Sequence, residues 1–211
     1  QSQALIDLAR SLHKKIDNLK DIKKIIIETS HHTHFVIGTG ANDPQKMDPL
    51  ASRETLDHSI MYIFAVALED GEWHHVKSYT PLRAKRKSTV DLWHKISTKE
   101  VKKWTKKYHQ RNPDKKSFGG KVIIKMKNGS TISDEIEVAD AHPNGRRPFG
   151  RQEYINKFET LTADLITEKE SQRFLNSVQN LKKLRSGDLK KLNIEMIPKK
   201  RLKKTKKTSI F

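Results

Sequence analysis

Three stretches of this 211-residue chain predict an α+β fold, a small and mainly antiparallel sheet with helices packed on it. Residues 22–29 (IKKIIIET) form a β-branched run of strand type. Residues 120–138 carry two alternating runs around Asn128-Gly129, a strong hairpin signal. Residues 52–71 are apolar over a helical length, with no Pro or internal Gly, between Pro49 and Gly71. The full order is helix, strand, long helix, hairpin and two helices, which is that of an α+β domain.

Taken in order, residues 1–19 space Ala4, Leu5, Leu8, Ala9, Leu12, Ile16 and Leu19 three and four apart, with charges between them. That is an amphipathic helix. Residues 30–50 contain Gly38, Gly40, Pro44 and Pro49 and read as a loop. At 100° per residue, the 52–71 stretch sets Leu56, Ile60, Ile63, Phe64 and Ala67 on one side. His58, Tyr62, Ala65 and Glu69 fall opposite, and Met61, Val66 and Leu68 fill the flanks. A helix apolar on nearly every side is expected to be buried. Residues 72–87 are polar and broken by Pro81, and 88–108 read as one or two short helices carrying Trp93 and Trp104. In the hairpin, a two-residue loop would set Ile132 against Lys125. A three-residue loop over 128–130 pairs Met126 with Ile132 and Val122 with Ile136. The second is predicted, because a one-residue slip turns a strand's apolar set to solvent. Residues 153–165 and 168–184 read as two helices, with Tyr154, Phe158, Leu161 and Leu165 on one stripe. One body over residues 1–197 and a basic tail over 198–211 are expected.

Composition narrows the function classes. The net charge is +18, and the last thirty-one residues hold twelve of the 43 Lys and Arg against Asp188 and Glu195. A basic end can bind nucleic acid or acidic membrane. No aromatic residue is interleaved among these lysines as a stacking platform, so a solvated tail is the expectation and nucleic acid a poor partner. The better basic-aromatic cluster is Trp104 with Lys102, Lys103, Lys106 and Lys107, by default a solvated helix face with an anchoring Trp. With no cysteine there is no disulfide, thiolate nucleophile or Cys-ligated metal in the chain. No run approaches the roughly 18 apolar residues of a membrane span. The chain begins inside a helix pattern without a secretory signal, as a fragment would.

Several polar sets invite chemistry. His58 and Tyr62, four apart on an otherwise apolar helix, are either a capped helix start with a core tyrosine or a His/Tyr face turned into a pocket. His31, His32 and His34 suggest a metal, but they cannot all point one way on a strand and lack a nearby carboxylate; hydrogen-bond donors on a loop are expected instead. The GTGAND segment at 38–43 is too short for a dinucleotide fingerprint. After the hairpin, His142, Arg146 and Arg147 cluster with Asp140 among turn formers. An Arg pair beside a His suits a polycarboxylate, since each guanidinium offers a preformed fork, but such pairs are equally a feature of plain surface. These residues alone predict a domain with a His/Arg/Tyr set for an anion.

Longer blocks go further. SHHTHFVIGTGANDPQKMDP (30–49), SRETLDHSIMYIFAVALEDGEWHH (52–75), VDLWHKIST (90–98) and VADAHPNGRRPFGRQEYINKF (138–158) resemble the C-terminal part of the MmgE/PrpD family. The resemblance covers nearly the whole chain. It implies a cytoplasmic enzyme (mitochondrial matrix in a eukaryote) of the methylcitrate cycle in propionate catabolism. The implied reaction eliminates water from the tricarboxylate 2-methylcitrate, with no metal or cofactor. It also implies two domains, a helical one absent from this chain and an α+β lid corresponding to it, with the site between them and homodimers formed through the helical part. His58 and Tyr62 match the family's His-x-x-x-Tyr and are the implied catalytic pair, with Tyr62 facing substrate as in the related cis-aconitate decarboxylases. His142, Arg146 and Arg147 match its loop and are the implied substrate-binding set. The chain alone is expected to be inactive. The competing class is a stand-alone basic module for nucleic acid or an acidic partner.

Overall fold

The structure, a computed structural model, describes residues 1–198 and divides into two compact units, the second beginning at Phe149. The division falls within the 1–197 stretch that the sequence analysis takes as one domain. Pro143, Gly145 and Pro148 leave the connecting stretch without helix or strand. The tail expected over 198–211 lies, Pro198 apart, outside the described residues.

The first unit runs α1 (Gln3–His13), β1 (Ile22–Thr29), α2 (His31–Val36), α3 (Arg53–Asp57), α4 (Ile60–Asp70), α5 (Pro81–Ala84), α6 (Lys87–Trp93), β2 (Ile96–Glu100), α7 (Lys102–Tyr108), β3 (Gly120–Met126) and β4 (Thr131–Ile136). The α+β class is as predicted. The strands form one sheet in the order β2-β1-β3-β4; β1 pairs with β2 in parallel and the other pairings are antiparallel. Its register lines up Ile96, Ile25, Ile124 and Ile132 in one row across all four strands. Leu5, Leu8 and Leu12 of α1 and the apolar residues of α4 join that row in a single core. Each such side chain removed from water contributes about 1.5–3 kcal/mol.

Strand β2 falls where short helices were expected. Its sequence, ISTKE, buries only Ile96 and Thr98, and it pairs with β1 alone at the sheet edge. An edge strand this short and polar has too little alternation to announce itself. The 30–50 stretch likewise contains a helix, α2, begun by Ser30, whose hydroxyl accepts the Thr33 N–H.

The hairpin register differs from the expected one by two residues. Ile124 faces Ile132 and Gly120 faces Ile136, closing over a three-residue loop at 127–129 rather than 128–130. Both registers keep the apolar residues on one face, so apolar matching cannot separate them. Turn geometry does. Gly129 takes φ +88°, the left-handed last position of a three-residue loop. An added Cβ there would meet nothing within 4 Å. Gly129→Ala is thus expected to cost about 1 kcal/mol by backbone strain alone, and Gly129→Asn less. A chemical-denaturation midpoint measures both.

The stretch organised around residues 52–71 is two helices, not one. Ser59 is extended (φ −116°, ψ 100°), and its hydroxyl accepts the Tyr62 N–H as the N-cap of α4 while donating to the Lys46 carbonyl at 2.7 Å. Ser52 begins α3 in the same way through Thr55. A serine that can cap a new helix competes with continuation of the old one. Helix α4 is buried from Ile60 to Leu68, as its pattern requires, and ends at Gly71 in the left-handed region.

The second unit contains α8 (Arg151–Thr162) and α9 (Glu168–Gln179). Phe158 stacks on Phe174 at 5.1 Å, but Tyr154, Leu161 and Leu165 of the expected apolar stripe are exposed. The Glu170 carboxylate accepts from Arg173 and from the Glu195 N–H, and Arg173 holds it down to about 2.

Candidate functional site

The division of the 52–71 stretch separates the two residues expected to act together. His58 sits outside both helices, at the C-cap of α3. It is exposed, and its Nδ1–H donates to the Glu54 carbonyl at 2.8 Å. That bond leaves Nε2 as the ring's free nitrogen. Tyr62 is fully buried; its ring neighbours are Tyr79 and Trp93, and its hydroxyl donates to the Ser78 carbonyl at 2.5 Å. Burial pushes the phenol up to about 12. His58 and Tyr62 therefore do not form a common His/Tyr face on one helix. The spacing of four was right for a helix, but Ser59 ended that helix between them.

At the other end of α4 the last turn carries Glu69 and Asp70, acidic groups where the helix dipole disfavours them. Arg83 answers both. Buried at the N-terminal end of the α5–α6 segment, it donates Nη2 to Glu69 at 2.8 Å, Nε to Asp70 at 2.9 Å and Nη1 to the Thr89 hydroxyl. Arg86 adds a contact to Asp70 at 3.4 Å. A cavity of about 570 Å³ opens beside this network, with Ser78, Arg83 and Arg86 in its wall. Its guanidiniums already face carboxylates.

A smaller cavity, about 340 Å³, is lined by Asp7 and Arg10 of α1, Lys14 at its C-cap, Gly71 at the end of α4, and Asp140, Arg146 and Arg147 of the loop after β4. Arg10 donates Nε to the Gly71 carbonyl at 3.3 Å and lies 3.5 Å from Asp7. The Asp140 N–H donates to Asp7 at 2.8 Å, which ties the loop to α1. Arg147 returns to Asp140 twice, through its N–H to the carbonyl at 2.9 Å and through Nη2 to the carboxylate at 3.3 Å. Asp140 Oδ1 is buried without a hydrogen-bond partner, an uncompensated desolvation cost. Among the described residues Lys14 and Arg146 form no ion pair.

Of the predicted loop set, then, the structure brings Arg146 and Arg147 to one cavity and leaves His142 out of its wall. His142 closes its own turn, its Nδ1 accepting the Asn144 N–H at 3.1 Å. The sequence reading missed Arg10 and Lys14. Their signal was their spacing of four, which sets Arg10 and the C-cap residue Lys14 on one edge at the end of α1. His31, His32 and His34 lie on α2 and diverge. His31 meets Glu100 at 3.1 Å, His32 stacks on Tyr108, and His34 Nδ1 meets the Thr98 hydroxyl at 2.6 Å. Burial lowers the pKa of His34. Among the described residues no three His, Asp or Glu side chains converge as a metal shell would need.

A family model described as the MmgE/PrpD C-terminal domain matches residues 1–183. The chain belongs to the MmgE/PrpD family. A curated relative, a probable 2-methylcitrate dehydratase of Saccharomyces cerevisiae, is 32% identical over 161 residues, which cover 74% of this chain. The chain spans 28% of that relative's length. The match takes in α1, α4, the sheet and the arginine loop, so both cavities belong to the MmgE/PrpD domain. No helix among the described residues is long and apolar enough to cross a membrane.

Proposed function

We propose that this chain is the C-terminal part of a 2-methylcitrate dehydratase, a hydro-lyase that converts 2-methylcitrate to 2-methyl-cis-aconitate without a cofactor. In this reading a helical domain of the longer protein supplies the rest of the site. The observation that carries the proposal is the MmgE/PrpD match over residues 1–183, beside a relative named for this reaction. The chemistry needs a base for the proton next to a carboxylate, an acid for the departing hydroxide, and cations for three carboxylates and the charge that develops on one of them. Arg146 and Arg147 are suited to the carboxylates. His58, exposed with Nε2 free, is suited to hold or move a proton. Tyr62, whose hydroxyl is already donated, acts as a positioning residue that fixes the Ser78 segment. His142 shapes the arginine loop.

The test is dehydration of 2-methylcitrate by the full-length protein, followed through the conjugated product; the 211-residue chain alone is expected to show none. His58→Ala is expected to lower the rate at least about tenfold, a loss of about 1.4 kcal/mol, with an unchanged melting temperature. Tyr62→Phe should lose less than that in rate but about 1–3 kcal/mol in stability, because the buried Ser78 carbonyl is left without its donor. A hundredfold fall in rate at unchanged stability would instead put the phenol on the substrate.

A further inference from the structure

We infer that Lys95 is an acylation site, at which the side-chain amine takes an acyl group from a small acyl phosphate seated among Lys20, Lys87 and Lys127. Lys95 joins α6 to β2, and its backbone is fixed on both sides. Its N–H donates to the Leu92 carbonyl at 3.0 Å, and its carbonyl accepts the Ile25 N–H at 2.9 Å. Lys95 lines a cavity of about 490 Å³, a volume in the range of small-ligand sites. Leu19 and Leu92 supply apolar wall, and Lys20, Lys87, Lys95 and Lys127 supply four amines. Three carboxylates stand near them. Asp91 pairs with Lys87 at 2.8 Å, Glu69 is turned to Arg83 and Thr89, and Asp21 accepts from Asn18. Among the described residues Lys20, Lys95 and Lys127 form no ion pair.

The four lysines are not alike. Lys20, Lys87 and Lys127 are exposed, whereas Lys95 is half-buried. Burial, and then the charge of Lys127, lower the Lys95 pKa against the opposing pull of Asp91 and Asp21. A lysine beside apolar surface and another cation keeps more of its amine neutral, which is the nucleophilic form. Lys46 is buried more deeply, but its ammonium is paired with Asp43 at 3.4 Å. In the reaction the Lys95 Nζ lone pair attacks the acyl carbon and forms the amide C–N bond. The C–O bond to phosphate breaks with its electron pair, inorganic phosphate leaves, and the amine proton passes to water. The exposed lysines hold the phosphoryl oxygens as point charges. The site is independent of the dehydratase reading.

Acetyl phosphate is the probe, offered at mildly alkaline pH to the 211-residue chain and to the full-length protein. Acetyl-lysine at each position is counted by peptide mass spectrometry after the remaining amines are capped with isotope-labelled acetic anhydride. Lys95 should acetylate at least about tenfold faster than Lys102, an exposed lysine on α7, as a donor held beside the amine predicts. The rate at Lys95 should saturate with acetyl phosphate, and the preference should vanish in denaturing urea. Lys20→Gln should slow it about threefold to tenfold at subsaturating acetyl phosphate, the loss of one charge-assisted contact. With unlabelled acetic anhydride as the acyl donor, which has no phosphate to hold, Lys20→Gln should change the Lys95 rate less than about twofold. Equal rates at Lys95 and Lys102 in either protein, or a rate that never saturates, would overturn the assignment. So would a preference that survives urea, or an equal slowing with both reagents in Lys20→Gln.

Discussion

Arg83→Ala should destabilise the first unit by about 3–5 kcal/mol, the usual consequence of removing one partner from a buried ion pair. Arg83 is 6% exposed and is the shared donor to Glu69, Asp70 and Thr89. Without it, two carboxylates at the dipole-negative end of α4 lose their main counter-charge, Asp70 keeping only Arg86 at 3.4 Å. The loss is a large fraction of the 5–15 kcal/mol that holds a typical domain together. Arg83→Lys should recover only part of it, because one ammonium cannot reproduce three separately aimed guanidinium donors. Thermal unfolding measures both, and a fall in stability below about 1 kcal/mol for Arg83→Ala would show the network to be an ordinary surface pair.

The same network sets an acid limit. Burial alone would raise the Glu69 pKa, but hydrogen bonds from Ser88 and Thr89 and the charge of Arg83 outweigh it and hold the carboxyl below its ordinary 4.5. A carboxyl depressed in the folded state contributes stability above its unfolded value and loses that contribution as the pH falls through the folded one. The melting temperature should therefore drop as the pH is lowered below about 4.5. In Arg83→Ala that acid-side drop should be smaller.

The second large effect is at Gly119. A Cβ at this position would overlap the Ile136 carbonyl oxygen and lie 2.6 Å from the Glu137 oxygen, backbone atoms at and just past the end of β4. Backbone cannot rotate away as a side chain can, so the entry to β3 and the end of β4 would have to part. Gly119→Ala is expected to cost about 3 kcal/mol or more, at the upper end of overpacking losses. The Ser117 hydroxyl, bonded to the Glu137 carbonyl at 2.5 Å, resists that parting and adds to the strain. Gly187→Ala, whose Cβ would meet nothing within 4 Å, is the matched control and should leave the denaturation midpoint unchanged.

Much of the scaffold was legible because it is written in short-range patterns. The period of α1, the β-branched run of β1 and the Asn-Gly turn each identify an element within a dozen residues. The edge strand β2 and the helix α2 were not legible, since each is short and is held by partners far away in sequence, α2 through Thr98 and Thr105. The resemblance fixed the family through long blocks of residues, and the match over 1–183 agrees with it.

The sequence by itself determined the fold class, the buried character of α4, the family and the concentration of arginine after the hairpin. Only the tertiary structure decided which of those residues meet. Ser59 chose a cap over helix continuation, a choice settled by its bond to Lys46 thirteen residues earlier, and so parted His58 from Tyr62. The packing of α1 against the end of α4 brought Arg10 and Lys14 to Arg146 and Arg147, more than 130 residues away. Local periodicity reports the face on which a side chain lies. What stands opposite that face is fixed by packing across the core, which no local pattern encodes.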